Sequence, residues 1–197
     1  MTRPLRLFTW RVLLAVLAAL LSNGVAHAQA GIATPPAPAP AIALNVQLLT
    51  AARQNELADV KRVLAQGAMV DSRNRLGKTA LLIACEKGND DMAAALLAAH
   101  ADVDLASVER VTPLMAASYS GNAALVKRLL AAGARIDPVD RMSKPAVVYA
   151  AGQGNAAALD ALLASGIDVN AAYEHQLTLL MWAAGQGHAD AVRLLLA

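Results

Sequence analysis

"TPLMAASYSGNAALVKRLLAAGARID", Thr112 to Asp137, is the stretch on which the fold turns. Shifted by 33 residues it falls, without a gap, on "TALLIACEKGNDDMAAALLAAHADVD" from Thr79, "PAVVYAAGQGNAAALDALLASGIDVN" from Pro145 and "TLLMWAAGQGHADAVRLLLA" from Thr178. A more degenerate copy, "VQLLTAARQNELADVKRVLAQGAMVD", starts at Val46. Five copies of one period fill nearly everything after residue 45, and a fixed period of this length is the mark of a stacked repeat architecture.

The physics inside each copy is readable. Leu114, Ala117, Leu125, Val126, Leu129 and Leu130 recur at helical spacing on two segments broken at Gly121, which predicts two short antiparallel helices per unit. Pro113 stands where the first turn of a helix tolerates a missing amide hydrogen. Gly121 and Gly133 stand where the helices stop. Ala116, Ala117, Ala131 and Ala132 keep the helices thin, so neighbouring units can approach closely. One unit has too few large side chains to bury its own apolar face; stacking buries it, and about three units are the minimum for stability.

These residues carry a resemblance to the ankyrin repeat. The family pattern of Thr-Pro-Leu, an Ala-Ala pair, Gly-Asn or Gly-His, a Leu-Leu pair and Gly-Ala-Asp-Val-Asn is similar to "TPLMAASYSGN…LLAAGARID" and to "LLASGIDVN" at Leu162 to Asn170. The resemblance spans about residues 46 to 197 and implies an all-α solenoid of five helix-turn-helix units, starting near 46, 79, 112, 145 and 178, with short β-hairpin-like loops between them. There are departures. Leu82, Met115, Val148 and Met181 replace the usual His, the Thr-Pro pair is intact only at Thr112, and the turn glycine survives only as Gly77, with Arg110, Ser143 and Gln176 at the equivalent positions. The helices are therefore better specified than the hairpin turns.

The N-terminus reads as an address. Arg3, Arg6 and Arg11 precede an apolar run, Val12 to Leu21, and "VAHAQA" supplies small residues spaced for cleavage. The run is too short for a stable membrane anchor, which needs about 20 residues, so residues 1–28 read as a signal peptide cut after Ala28, and the protein as periplasmic or secreted with no membrane anchor left. Residues 29–43 form a Pro/Ala-rich linker containing "GIATPPAPAPA", and 44–197 the repeat domain; proline favours an extended, stiff spacer. The last helix, with Ala189, Asp190, Ala191 and Arg193, has only a weakly polar outer face, so either it is the terminal cap or the sequence is cut short at Ala197.

Loss of the signal changes the charge. The 17 Lys+Arg of the whole chain stand against 15 Asp+Glu; without Arg3, Arg6 and Arg11 the balance is 14 against 15, a net −1. Lys and Arg look scattered rather than gathered along one helix, and the single Phe, Phe8, lies in the signal. Neither a basic nor a stacking surface for nucleic acid is expected.

Catalytic constellations are missing as well. Cys85 takes the place of Ala52, Ser118, Ala151 and Ala184 in the other units and reads as a small packing residue, and one cysteine forms no internal disulfide. His188 aligns with Asn89, Asn122 and Asn155 at the turn after the glycine and reads as a hydrogen-bonding turn residue. His100 replaces the glycine seen as Gly67, Gly133 and Gly166, so left-handed strain is expected there. No Cys/His spacing suits zinc, and "AAGQGN" and "AAGQGH" end helices instead of opening one after a strand, so no phosphate loop is present. No enzyme activity, metal or other cofactor is expected.

What the resemblance implies is a protein partner, bound by the hairpin tips and the exposed side of each first helix. Carried over position by position, the tips and adjacent turns offer Arg75, Leu76, Lys78, Val108, Glu109, Val111, Arg141, Met142, Lys144, Glu174, His175 and Leu177; the ends of the first helices add Arg53, Gln54, Glu86, Lys87, Tyr119, Gln153 and Gln186. Tyr119, Arg141 and Met142 are the expected anchors, because Tyr and Arg dominate interface hot spots and Met adapts to irregular surfaces. Trp182 falls at the position of Ile83, Ala116 and Tyr149 and is expected to pack between helices. The resemblance further implies roles known for envelope proteins of this kind, protection against stress or neutralisation of a toxic effector, between which the residues do not choose.

Overall fold

The computed structural model describes residues 41–197; the expected signal peptide and the linker up to residue 40 lie outside the described residues. Among the described residues ten α-helices follow one another in pairs: α1 Ala41–Gln54 and α2 Leu57–Ala65, α3 Ala80–Glu86 and α4 Asp90–Ala98, α5 Pro113–Ser120 and α6 Ala123–Ala131, α7 Ala146–Gly152 and α8 Ala156–Leu163, α9 Leu179–Gly185 and α10 Ala189–Leu196. The first helices, α1, α3, α5, α7 and α9, stack on one another in sequence order, and so do the second helices. The result is the helical solenoid that the period implied. Helix α1 begins at Ala41, where Ala, Ile and Leu are all compatible with helix and Leu44 and Leu48 turn into the core.

The small residues do what stacking requires. Ala80, Ala84, Ala117, Ala150, Ala151 and Ala183 are buried along the row of first helices, together with Leu81, Leu82, Leu114 and Leu179. Leu96, Leu125, Leu129, Leu159 and Leu162 fill the space toward the second helices. A buried Leu is worth on the order of 1.5–3 kcal/mol, and the first helices that carry many of these side chains pack against both their own partner helix and the next unit.

Helix starts are set by short polar side chains. The hydroxyls of Thr79, Thr112 and Thr178 accept the backbone N–H groups of Leu82, Met115 and Met181 at 3.2, 3.3 and 3.4 Å. Pro145 occupies the same position before α7 and makes no side-chain cap. At the second helices Asn89 and Asn122 accept from Met92 and Leu125, and each amide also reaches back one unit: Asn122 Nδ2 donates to the Gly88 carbonyl at 2.8 Å, and Asn89 Nδ2 to Asn55 Oδ1 at 2.6 Å. Asn155 Nδ2 donates to the Ser118 carbonyl at 2.8 Å, and His188 Nε2 lies 3.0 Å from the Gly152 carbonyl oxygen. These four residues fasten each unit to the one before.

That fastening explains the glycines beneath it. A Cβ on Gly121 would lie 2.5 Å from Asn155 Oδ1, and one on Gly154 2.5 Å from the His188 ring. Both also have positive φ. Backbone freedom and close approach are demanded together, and only glycine satisfies both.

The hairpin turns are better ordered than the loss of glycine suggested. Arg110, Ser143 and Gln176 take φ of +62°, +58° and +61°, the left-handed conformation of Gly77 at +71°. The turns close through backbone bonds from Asn74 to Lys78, Ser107 to Val111, Asp140 to Lys144 and Tyr173 to Leu177. Three are braced by the side chain of their first residue, since Asn74, Ser107 and Asp140 each accept a backbone N–H of their own turn. A side-chain acceptor of this kind stabilises a tight turn locally and offsets the cost of a left-handed non-glycine residue. His100 is left-handed too, at +62°.

Candidate functional site

Successive tips are hydrogen-bonded to each other. Val108 N–H donates to the Leu76 carbonyl at 2.9 Å, and Arg141 N–H to the Glu109 carbonyl at 3.2 Å. The first three tips therefore form one edge. The fourth differs: Tyr173 replaces the bracing polar residue, His175 and Gln176 are both left-handed, and no backbone bond joins this tip to the third.

Beside this edge runs the exposed side of the first helices, and its relief follows from one row of residues. Ile83, Ala116, Tyr149 and Trp182 stand 33 residues apart in α3, α5, α7 and α9. Ala116 is small between two large neighbours, and a groove of about 330 Å³ opens over it, lined by Glu86, Val111, Met115, Tyr119 and Tyr149. A second groove of about 320 Å³ lies on the other side of the same tyrosines, with Met142, Lys144, Gln153, Trp182 and Gln186 in its wall. Tyr119 and Tyr149 separate the two as an edge-to-face pair with ring centroids 6.1 Å apart, the geometry preferred by aromatic quadrupoles.

Polar contacts hold the lining in place. Lys78 Nζ is 2.6 Å from Glu86 Oε1. Arg141 Nε donates to the Val108 carbonyl at 3.1 Å and lies 3.5 Å from Glu109 Oε2. Lys144 Nζ sits 4.8 Å from the centre of the Trp182 ring, a cation–π contact. Burial, helped by the hydrogen bond to Asp140, pushes the Tyr149 phenol well above its ordinary value. The Trp182 indole N–H is enclosed and without a partner.

The structure brings Glu86, Val111 and Tyr119 to the first groove and Tyr119, Met142, Lys144, Gln153 and Gln186 to the second. Arg75, Leu76, Lys87, Glu109, Arg141 and His175 are exposed on the tips and helix ends, while Lys78, Glu174 and Leu177 are half-buried. Tyr119 and Met142 expose 56% and 57% of their surface, enough for partner contact. Met115, Ala116, Val148, Tyr149 and Trp182 also line the grooves and were not among the expected site residues. Trp182 packs against the core as its position implied, yet one side of it faces the second groove. The alignment held the clue to the rest, since one Ala in a row of large residues is a vacancy in relief.

The charges gather on no single helix, as the sequence reading has it, yet they sum unequally over the fold. They are scattered in sequence but segregated in the fold. The four tips (74–78, 107–111, 140–144 and 173–177) and the ends of the first helices carry Arg53, Arg75, Lys78, Lys87, Arg110, Arg141 and Lys144 against Glu86, Glu109, Asp140 and Glu174, a net +3. The rest of 41–197 holds seven cations against eleven carboxylates, a net −4. No helix shows the grouping, because it is assembled across units.

Elsewhere the chemistry is structural. Cys85 is fully buried, and burial drives its thiol far above the ordinary value, which disfavours the thiolate that nucleophilic chemistry needs. Among the described residues no three His, Cys, Asp or Glu side chains converge as metal ligands, and no helix is long and apolar enough to cross a membrane.

Comparison with known proteins gives two findings. Residues 48–140 and 124–197 match the family described as ankyrin repeats (3 copies), so the matched region runs from 48 to 197, well over half of the chain. Mitochondrial disaggregase of Bos taurus is 48% identical over 61 residues, and that of Homo sapiens 47% over the same length. Each match takes in 31% of this chain and 9% of the relative, so it spans less than a tenth of the length of these curated relatives.

Proposed function

This chain belongs to the ankyrin-repeat family, and we propose that it is an exported interaction module that holds a protein partner on its tip edge and the adjoining side of its first helices. The observation that carries the reading is the pair of grooves meeting at Tyr119 and Tyr149, bordered by exposed Met142 and by charged tips. An apolar centre with aromatic anchors and a polar rim is how protein interfaces are built. The module has no catalytic step of its own: its cysteine is buried, and His188 is spent on fastening two units.

Export rests on the leader pattern of residues 1–28 and places the partner in the cell envelope or outside it. Mass analysis of the protein recovered from a periplasmic fraction gives a chain starting at Gln29; recovery of the unprocessed chain from the cytoplasm would refute export. A second reading, an inhibitor that covers the active site of a toxic effector, is favoured by the one-sided charge of the tip face, because such pairs associate through complementary fields.

Binding is tested by affinity capture from envelope extract with the full chain beside a Tyr119→Ala/Arg141→Ala/Met142→Ala variant of unchanged helicity. A protein retained by the first and lost by the second establishes the face. Retention of the same proteins by both refutes it.

A further inference from the structure

We infer that the face takes an extended acidic segment of its partner, with one bulky apolar side chain of that segment lodged in the groove over Ala116; this rests on the protein-binding reading above. The size of the groove selects the occupant. At about 330 Å³ it admits a side chain with its flanking backbone, whereas a helix of about 10–12 Å diameter exceeds that volume within a single turn. Met115, Ala116, Val111 and the two tyrosines make its lining mainly apolar, with Glu86 at one border, so the inserted group is apolar.

The rim selects the charge. Glu86 and Glu109 are engaged by Lys78 and Arg141, and the Asp140 carboxylate is taken up by its own turn and Tyr149. Among the described residues Lys87, Arg110 and Lys144 have no carboxylate partner. Lys87 follows Glu86 and Arg110 precedes Val111, two residues of the first groove, and Lys144 lines the second. An incoming acidic segment meets, on a face of net positive charge, Lys87 and Arg110 next in sequence to lining residues of the first groove and Lys144 in the wall of the second, none of them held by a carboxylate. A basic segment would meet a net +3 field, and like charges brought together suppress the wrong partner.

The test is selection from a random peptide library displayed on phage, using the full chain, followed by titration of the enriched peptides. Three folded variants accompany it: Ala116→Leu, which fills the groove at a position where Ile83, Tyr149 and Trp182 are already tolerated; Lys87→Glu/Lys144→Glu on the rim; and Lys61→Glu/Lys127→Glu on the second helices, with the same change of net charge. The expected result is enrichment of Asp and Glu flanking an aromatic or large aliphatic residue. Affinity should fall about tenfold or more with Ala116→Leu and with the rim pair, as for loss of a hot spot, and remain with the second-helix pair. Peptides without acidic bias, or equal loss from both charge pairs, would overturn the inference while leaving protein binding intact. Failure to enrich any peptide would also overturn it, and the capture experiment above then decides the protein-binding reading separately.

Discussion

Tyr149 Oη donates a 2.5 Å hydrogen bond to Asp140 Oδ2, while Oδ1 of the same carboxylate accepts the backbone N–H groups of Met142 and Lys144, both at 2.8 Å. One buried side chain thus ties the third tip, which presents Arg141 and Met142, to the aromatic ridge between the grooves. Asp140→Ala should destabilise the fold by about 2 kcal/mol, the range for hydrogen bonds to a charged group, and Tyr149→Phe by about 1 kcal/mol. Denaturant unfolding of the two variants checks this, and equal, negligible effects would deny the strut.

The phenol itself should titrate late. Its folded-state pKa is raised above the ordinary 10.0, first by burial and then by the bond to Asp140, so its contribution to stability is complete below pH 10 and lost as pH rises through the folded value. Phenolate absorbance of wild type against Tyr149→Phe should show one tyrosine that resists ionisation above pH 10.

His100 is left-handed where Gly67, Gly133 and Gly166 stand in other units. Nothing lies within 4 Å of a Cβ at any of those three glycines, so the difference is one of backbone conformation alone. His100→Gly should stabilise the protein by about 1 kcal/mol, the cost of left-handed geometry for a residue with a Cβ. Gly133→Ala should cost a similar amount. Thermal unfolding of both variants checks the pair of signs.

Arg128 holds Asp90 with two hydrogen bonds, 2.7 and 2.8 Å, joining α4 to α6 across a unit boundary. The contact keeps the Asp90 carboxyl below its ordinary 3.8. Its stabilisation is therefore full above pH 3.8 and disappears as pH falls through the lower folded value. A double-mutant cycle with Asp90→Asn and Arg128→Gln should give a coupling of about 0.5–1 kcal/mol at neutral pH, in keeping with partial exposure, and none in strong acid.

Cys85 is an internal reporter. A fully buried thiol with a raised pKa should react with a maleimide only when the central units open, so labelling should track global unfolding measured by circular dichroism. Rapid labelling of the native protein would contradict the packing.

Much of this was legible from the 33-residue period. It places every helix pair, the Thr and Asn caps, the small residues between units and the glycines under Asn155 and His188. Two things were not legible. The left-handed turns at Arg110 and Ser143 depend on side-chain acceptors, Ser107 and Asp140, whose bracing is a three-dimensional matter. The proposed binding face depends on residues one or two units apart: Arg75 and Arg141, like Lys78 and Lys144, stand two periods apart and come to one side of the fold only after stacking. The groove over Ala116 likewise exists only once stacking brings Glu86 and Tyr149, from the units on either side, to its border.

The central claim is that the partner covers the tip edge and the grooves, and hydrogen exchange of the captured complex measures this without any substitution. Slowed exchange at 107–120 and 140–153, with the second helices unchanged, is the predicted footprint. Protection confined to α4, α6 and α8 would place the partner on the opposite side and contradict the account.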